Sequence, residues 1–250
     1  MMRNEFVAAA LLLAGCHAAA AGAETQPMSQ SQPAGTVFLG KTVEVNGARC
    51  RYLAYVPESY TPDRKWPLIL FLHGMGERGD DGLRSATVGI GKAIREHPER
   101  FPCIVLMPQC QPGQNWQGPM LDMALRTVDD AIAEYNIDQD RIVLTGLSMG
   151  GYGTWLLGAT HTDRFSCLVP ICGGGDPTAA EKLAKRPVWC WHGAADPAVP
   201  VERSREMVRW TREAGGNVKF TELPGVGHNS WDTAYGDPKL VAWMLAQKRK

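Results

Sequence analysis

The sequence predicts an α/β fold, built on one mostly parallel central sheet of about eight strands with helices on both faces. Two observations carry that prediction. Short, continuous apolar runs alternate with segments of helical period along most of the chain, the signature of repeated strand–helix–strand units. The glycine-rich loops that carry candidate chemistry follow those apolar runs directly, where open α/β sheets place their working sites.

Thr36–Val45 and Arg51–Val56 read as two strands, with Asn46-Gly47 between them as a hairpin turn. They are expected as antiparallel additions at one edge. Pro67–Leu72 is a wholly apolar run, suited to a strand buried on both faces. The same character returns at Cys103–Met107, Arg141–Thr145, Cys167–Ile171 and Val188–Trp191, and more weakly at Val218–Leu223. Helical segments are expected at Val88–Glu96, Asp122–Tyr135, Gly150–Ala159, Ala179–Ala184, Val201–Ala214 and Pro238–Gln247. Around the second of these, Leu121, Leu125, Val128 and Ile132 recur at steps of three and four and form one apolar stripe.

The N-terminus differs in kind. Arg3 precedes a short apolar run, Phe6 to Ala14, that is too short to span a bilayer. It ends in Leu13-Ala14-Gly15-Cys16, which looks like a bacterial lipobox. Residues 1–15 are therefore expected to be a lipoprotein signal peptide, with Cys16 lipidated; an ordinary signal cut after Ala21-Gly22-Ala23 is the alternative. Residues 16–35, rich in Ala, Gln, Ser and Pro, read as a disordered tether. Residues 36–250 are expected to form the catalytic domain. The expected location is the bacterial cell envelope, with the lipid as the only membrane attachment.

The 26 basic and 26 acidic residues balance, so nothing points to nucleic acid as a partner. Besides Cys16 there are Cys50, Cys103, Cys110, Cys167, Cys172 and Cys190. None shows Cys-x-x-Cys or zinc-ligand spacing, so no metal is expected. Several lie in apolar runs and read as buried thiols, with room for one disulfide in an oxidising compartment.

Gly146-Leu147-Ser148-Met149-Gly150-Gly151 joins the strand Arg141–Thr145 to a helix. A Gly-x-Ser-x-Gly turn in that context exposes a serine on a strained backbone, with glycines where side chains would collide. Ser148 is the candidate nucleophile. A serine hydroxyl needs a base, and His228, in the loop Gly225-Val226-Gly227-His228, is the candidate. His73 and His192 each end a strand and read as structural, and His97 and His161 as surface residues. Asp196 follows a strand and precedes His228, which makes it the acid; Asp176 is its rival. The developing oxyanion needs two N–H donors. Met149, just after the serine, supplies one. Met75, in His73-Gly74-Met75-Gly76-Glu77-Arg78-Gly79, is the candidate for the other. Glu77 and Arg78 are expected to brace this loop as an ion pair, with contact to substrate as the alternative. Trp116 and Trp231 are candidates for walls of the substrate pocket.

Leu72-His73-Gly74-Met75-Gly76-Glu77-Arg78-Gly79-Asp80, Met107-Pro108-Gln109-Cys110 with Trp116, and Gly146-Leu147-Ser148-Met149-Gly150-Gly151-Tyr152-Gly153 together resemble the predicted-peptidase and esterase group of α/β-hydrolases. That group is similar to polyhydroxybutyrate depolymerase-like, feruloyl-esterase-like and dienelactone-hydrolase-like enzymes. The order serine, acid, histidine is the order of that fold. The resemblance implies the fold and the Ser148, Asp196, His228 triad, in a group whose members are described as esterases and as peptidases; a small or carbohydrate-linked ester is the expected substrate, and no cofactor is expected. No insertion between Cys167 and Val188 is long enough for a large lid. A serine peptidase shares the same machinery, and a non-catalytic binding protein on this fold is the remaining alternative.

Overall fold

The computed structural model describes residues 36–45 and 47–249. The expected signal peptide, Cys16, the tether of residues 16–35 and Asn46 of the hairpin turn lie outside the described residues.

All eight expected strands form, in one sheet. In chain order they are β1 (Thr36–Val45), β2 (Ala48–Pro57), β3 (Trp66–Leu72), β4 (Ile104–Pro108), β5 (Ile137–Leu147), β6 (Cys167–Ile171), β7 (Val188–Gly193) and β8 (Val218–Leu223). Their spatial order is β1-β2-β4-β3-β5-β6-β7-β8. β1 pairs antiparallel with β2 and β2 antiparallel with β4, while every later pair is parallel. β1 and β2 turn tightly, since Val45 is already paired with Ala48 and Gly47 has φ +76°, a left-handed conformation that glycine adopts freely.

β3 shows why these runs become central strands. All seven of its residues are buried. Leu68, Leu70 and Leu72 enter the apolar cluster on one side of the sheet, and Ile69 and Phe71 the cluster on the other. Each such side chain contributes about 1.5–3 kcal/mol of burial, and two covered faces need helices on both sides.

Those helices are α1 (Ile90–Glu96), α2 (Pro119–Glu134), α3 (Met149–Thr160), α4 (Ala180–Leu183), α5 (Glu202–Glu213), α6 (Trp231–Gly236) and α7 (Pro238–Ala246). The stripe Leu121, Leu125 and Val128 on α2 is buried, with Ile132 packed at its margin. α6 was not expected. Its six residues carry no apolar repeat, yet it buries Tyr235, whose hydroxyl meets Thr145 Oγ1 at 2.8 Å behind β5. Between β6 and β7 stand only a 3-10 turn, Pro177–Ala179, and α4, so there is no large lid. The six cysteines in the described region are all buried free thiols, with no disulfide among them.

Candidate active site

The site gathers at the C-terminal ends of β3, β5, β6, β7 and β8. Ser148 stands between β5 and α3 with φ 52° and ψ −116°. For a residue with a side chain this backbone costs about 1–3 kcal/mol. It is held by Ser148 N–H donating to Ile171 O at 2.9 Å and by Tyr152 N–H donating to Ser148 O at 3.1 Å. The flanking glycines are required by space. A Cβ on Gly146 would lie 2.4 Å from Gly150 O, and one on Gly150 would lie 1.9 Å from Leu72 O.

His228 Nε2 accepts from Ser148 Oγ at 2.9 Å, and His228 Nδ1 meets Asp196 Oδ2 at 2.7 Å. A carboxylate only accepts, so Nδ1 carries the proton and Nε2 presents its lone pair to the serine. The other oxygen of Asp196, Oδ1, accepts from the N–H groups of Ala198 and Val199 at 2.8 and 2.9 Å. Burial alone would raise the Asp196 pKa, but the His228 hydrogen bond and those two amides outweigh it and hold the carboxyl below its usual range. The loops that carry acid and base are zipped together by backbone. Ala195 N–H donates to Val226 O at 2.9 Å, and a Cβ on Gly193 would lie 2.2 Å from Gly227 O. Asp176, the rival acid, is exposed and instead caps the turn after it by accepting from Thr178 N–H at 2.9 Å.

Met149 opens α3 and Met75 opens a 3-10 turn, Met75–Glu77. First-turn N–H groups have no acceptor inside their own turn. Both residues border the same cavity as Ser148. The Met75 loop is anchored from behind. His73 Nε2 accepts from Cys110 N–H at 2.9 Å, so the ring proton sits on Nδ1 and is donated to Gly74 O at 2.6 Å. Burial pushes the His73 pKa down to about 4, so the ring is neutral. Trp116 Nε1–H donates to His73 O at 2.8 Å.

Glu77 and Arg78 do not form the expected ion pair. Arg78 reaches Asn115 Oδ1 instead. The Glu77 carboxyl turns back toward the Gly74 and Glu77 backbone amides, with its pKa raised by burial. Neighbouring side chains on this tight turn diverge, so each braces a different partner.

A cavity of about 460 Å³ opens beside Ser148. Trp116 borders it together with Met75, Met149, Tyr152, Leu156 and Asp176. Trp231 is not among its lining residues. As the first residue of α6 it packs against the sheet-side cluster, with its ring edge-on to the His228 imidazole (centroids 5.3 Å, 89°). Tyr152 and Leu156 were missed, although they stand four and eight residues after Ser148 on α3, on the face the serine itself defines. Asp176 was weighed only as an acid, yet its place after β6 puts it at the cavity.

Among the described residues, Cys172, Asp196 and His228 come nearest to a metal-ligand set, their ligand atoms lying within 4.8 Å of one another. Burial pushes the Cys172 thiol up to about 12, and Asp196 and His228 already satisfy each other.

Fold and site define the class: the chain has an α/β-hydrolase fold and is similar to esterase-type hydrolases. A family model described as phospholipase/carboxylesterase matches residues 119–238. The chain is 26% identical over 199 residues to an acyl-protein thioesterase 1 of Gibberella zeae, covering 65% of this chain and 83% of that protein. It is 30% identical over 229 residues to a poly(3-hydroxyalkanoate) depolymerase C of Paucimonas lemoignei, covering 72% of this chain and 53% of that protein. Among solved structures, a thermostable esterase superposes with a TM-score of 0.79 at 36% identity, covering 85% of this chain and 63% of the other. The chain thus spans less than two thirds of the depolymerase and of that esterase.

Proposed function

We propose that this protein hydrolyses small or carbohydrate-linked carboxylic esters through an acyl-enzyme on Ser148. The observation that carries the reading is the hydrogen-bonded chain Ser148 Oγ–His228–Asp196, at 2.9 and 2.7 Å, on a strained serine beside an open cavity. His228 takes the serine proton as Oγ attacks the ester carbonyl. The N–H groups of Met149 and Met75 receive the oxyanion. His228 then protonates the leaving alkoxide, and a water activated by the same nitrogen releases the acid. Asp196 holds the tautomer and stabilises the imidazolium. The mixed lining of the cavity, apolar at Trp116, Met149, Tyr152 and Leu156 and polar at Asn115, Gln117 and Asp176, suits an acyl group joined to a hydroxylated alcohol.

Short p-nitrophenyl esters test the mechanism. Ser148→Ala is expected to lower kcat by roughly ten-thousand-fold or more and to abolish fluorophosphonate labelling. Full activity in that variant sinks the assignment. Amide turnover above ester turnover across a matched panel overturns the ester reading in favour of a peptidase. Among the described residues no helix is long and apolar enough to cross a membrane. The proposed envelope attachment rests on Leu13-Ala14-Gly15-Cys16. Incorporation of labelled fatty acid into the wild type but not into Cys16→Ser is the expected result, and equal incorporation overturns it.

A further inference from the structure

Asp196 carries a second histidine that the mechanism above does not use. His192, the penultimate residue of β7, is fully buried. Its Nε2 lies 3.2 Å from Asp196 Oδ2, the same oxygen that His228 bonds, and 2.9 Å from Val199 O. Both neighbours are acceptors, so Nε2 carries a proton in any state of the ring. Its Nδ1 lies 2.7 Å from Ser204 Oγ on α5, and that hydroxyl lies 2.9 Å from Gly173 O. The carbonyl can only accept. If Nδ1 is bare, one hydroxyl hydrogen must serve two acceptors, and one of two buried contacts has no proton in it. If Nδ1–H donates to Ser204 Oγ, the hydroxyl donates onward to Gly173 O and every group is satisfied. Buried polar groups are paired as a rule, and a short N–H···O contact is what a charged donor makes.

We propose that His192 is a positioning residue held as an imidazolium, forming a buried ion pair with Asp196 at the same carboxylate oxygen that His228 bonds. The inference rests on the reading of Ser148, Asp196 and His228 as the reacting chain. The charged groups around it agree in sign. Asp196 faces it from its own loop. Glu222, its register partner on β8, faces it from the neighbouring strand and is itself paired with Arg205 of α5 at 2.9 Å. His228, with its Nε2 lone pair turned to Ser148, meets the same carboxylate from the β8–α6 loop, and Cys172 and Cys190 are buried thiols with pKa values pushed up to about 12 by burial.

Two consequences follow for the reaction. Asp196 is clamped on four sides, by His228, His192 and the two amides, so the carboxylate cannot swing away from His228. The carboxylate's charge is also divided between two rings, so it raises the basicity of His228 less than an unshared carboxylate does.

The test uses the intact protein with ring-nitrogen-labelled histidine. The His192 resonance pair is assigned by its loss in His192→Gln. Two protonated ring nitrogens at pH 7 are expected for His192, and one bare nitrogen overturns the proposal. In kinetics, His192→Gln keeps a donor toward Asp196 without the charge. It is expected to move the acid limb of the kcat/KM profile upward by about half to one pH unit, with KM little changed. His192→Leu, which removes the donor as well, is expected to lower kcat a further ten-fold or so. An unmoved acid limb in a folded His192→Gln protein overturns the proposal. Fluorophosphonate labelling separates the two layers: loss of the Ser148-dependent label refutes the reaction chain, whereas a labelled protein with a neutral His192 refutes only this inference.

Discussion

Two strands of this sheet end in the same dipeptide, and the two ends behave differently. β3 runs into His73-Gly74 and β7 ends in His192-Gly193. Both histidines are completely buried. His73 meets a donor at one nitrogen, the Cys110 N–H, and an acceptor at the other, Gly74 O. That pairing suits a neutral ring and only a neutral ring, and it shapes the backbone that presents Met75. His192 meets acceptors on one side and a hydroxyl already directed at a carbonyl on the other. The same residue at the same topological place is thus a neutral brace on one loop and a partner to a carboxylate on the next. Its partners, not its burial, decide which.

The sharpest way to break this comparison is at the carboxylate, because in the proposed mechanism only the β7 end bears on the serine. Asp196→Asn offers an amide that can donate where only acceptors are wanted, so His228 loses its fixed tautomer. We expect kcat to fall by about ten-thousand-fold with the fold intact, measured by ester turnover alongside circular dichroism. A fall of less than ten-fold means that the β7 loop is a brace like the β3 loop and that Asp196 is not the acid.

The difference between the two ends also marks how far the sequence could be read. Strands such as Pro67–Leu72 and Cys167–Ile171 were legible because burial on both faces leaves a continuous apolar run. Ser148, Asp196 and His228 could be singled out because each sits in a glycine-rich loop that ends a strand, and the structure brings the three within hydrogen-bonding distance. α6 was not: Trp231–Gly236 is one turn and a half, held by Tyr235 against Thr145, a tertiary contact with no local period. Trp231 looked like a pocket wall because it lies three residues from His228, but the first turn of a helix carried it behind the imidazole. The difference in partners between His73 and His192 could not be read at all. It depends on Cys110, Ser204 and Gly173, residues distant in sequence or on other elements.

The β3 end offers a smaller effect, on stability and with a definite sign. His73 in the folded protein resists protonation down to a pKa of about 4, because burial penalises the charged ring and Arg78 repels it. The unfolded chain takes up that proton near the usual 6.5. Between those values the unfolded state binds more protons than the native one, so stability falls as pH drops through that window. Above about pH 7 this residue contributes no slope. The lost increment is on the order of 3 kcal/mol by pH 4. His73→Phe removes the titration while keeping a ring of similar size. It leaves the Cys110 N–H without its acceptor, so it starts about 1–3 kcal/mol less stable at pH 7. Urea midpoints for the two proteins, taken from pH 7.5 to 4.5, are expected to converge as the pH falls. Parallel curves would mean that the acid sensitivity lies elsewhere and that the neutral His73 is not what ties the Met75 loop to the strand beneath it.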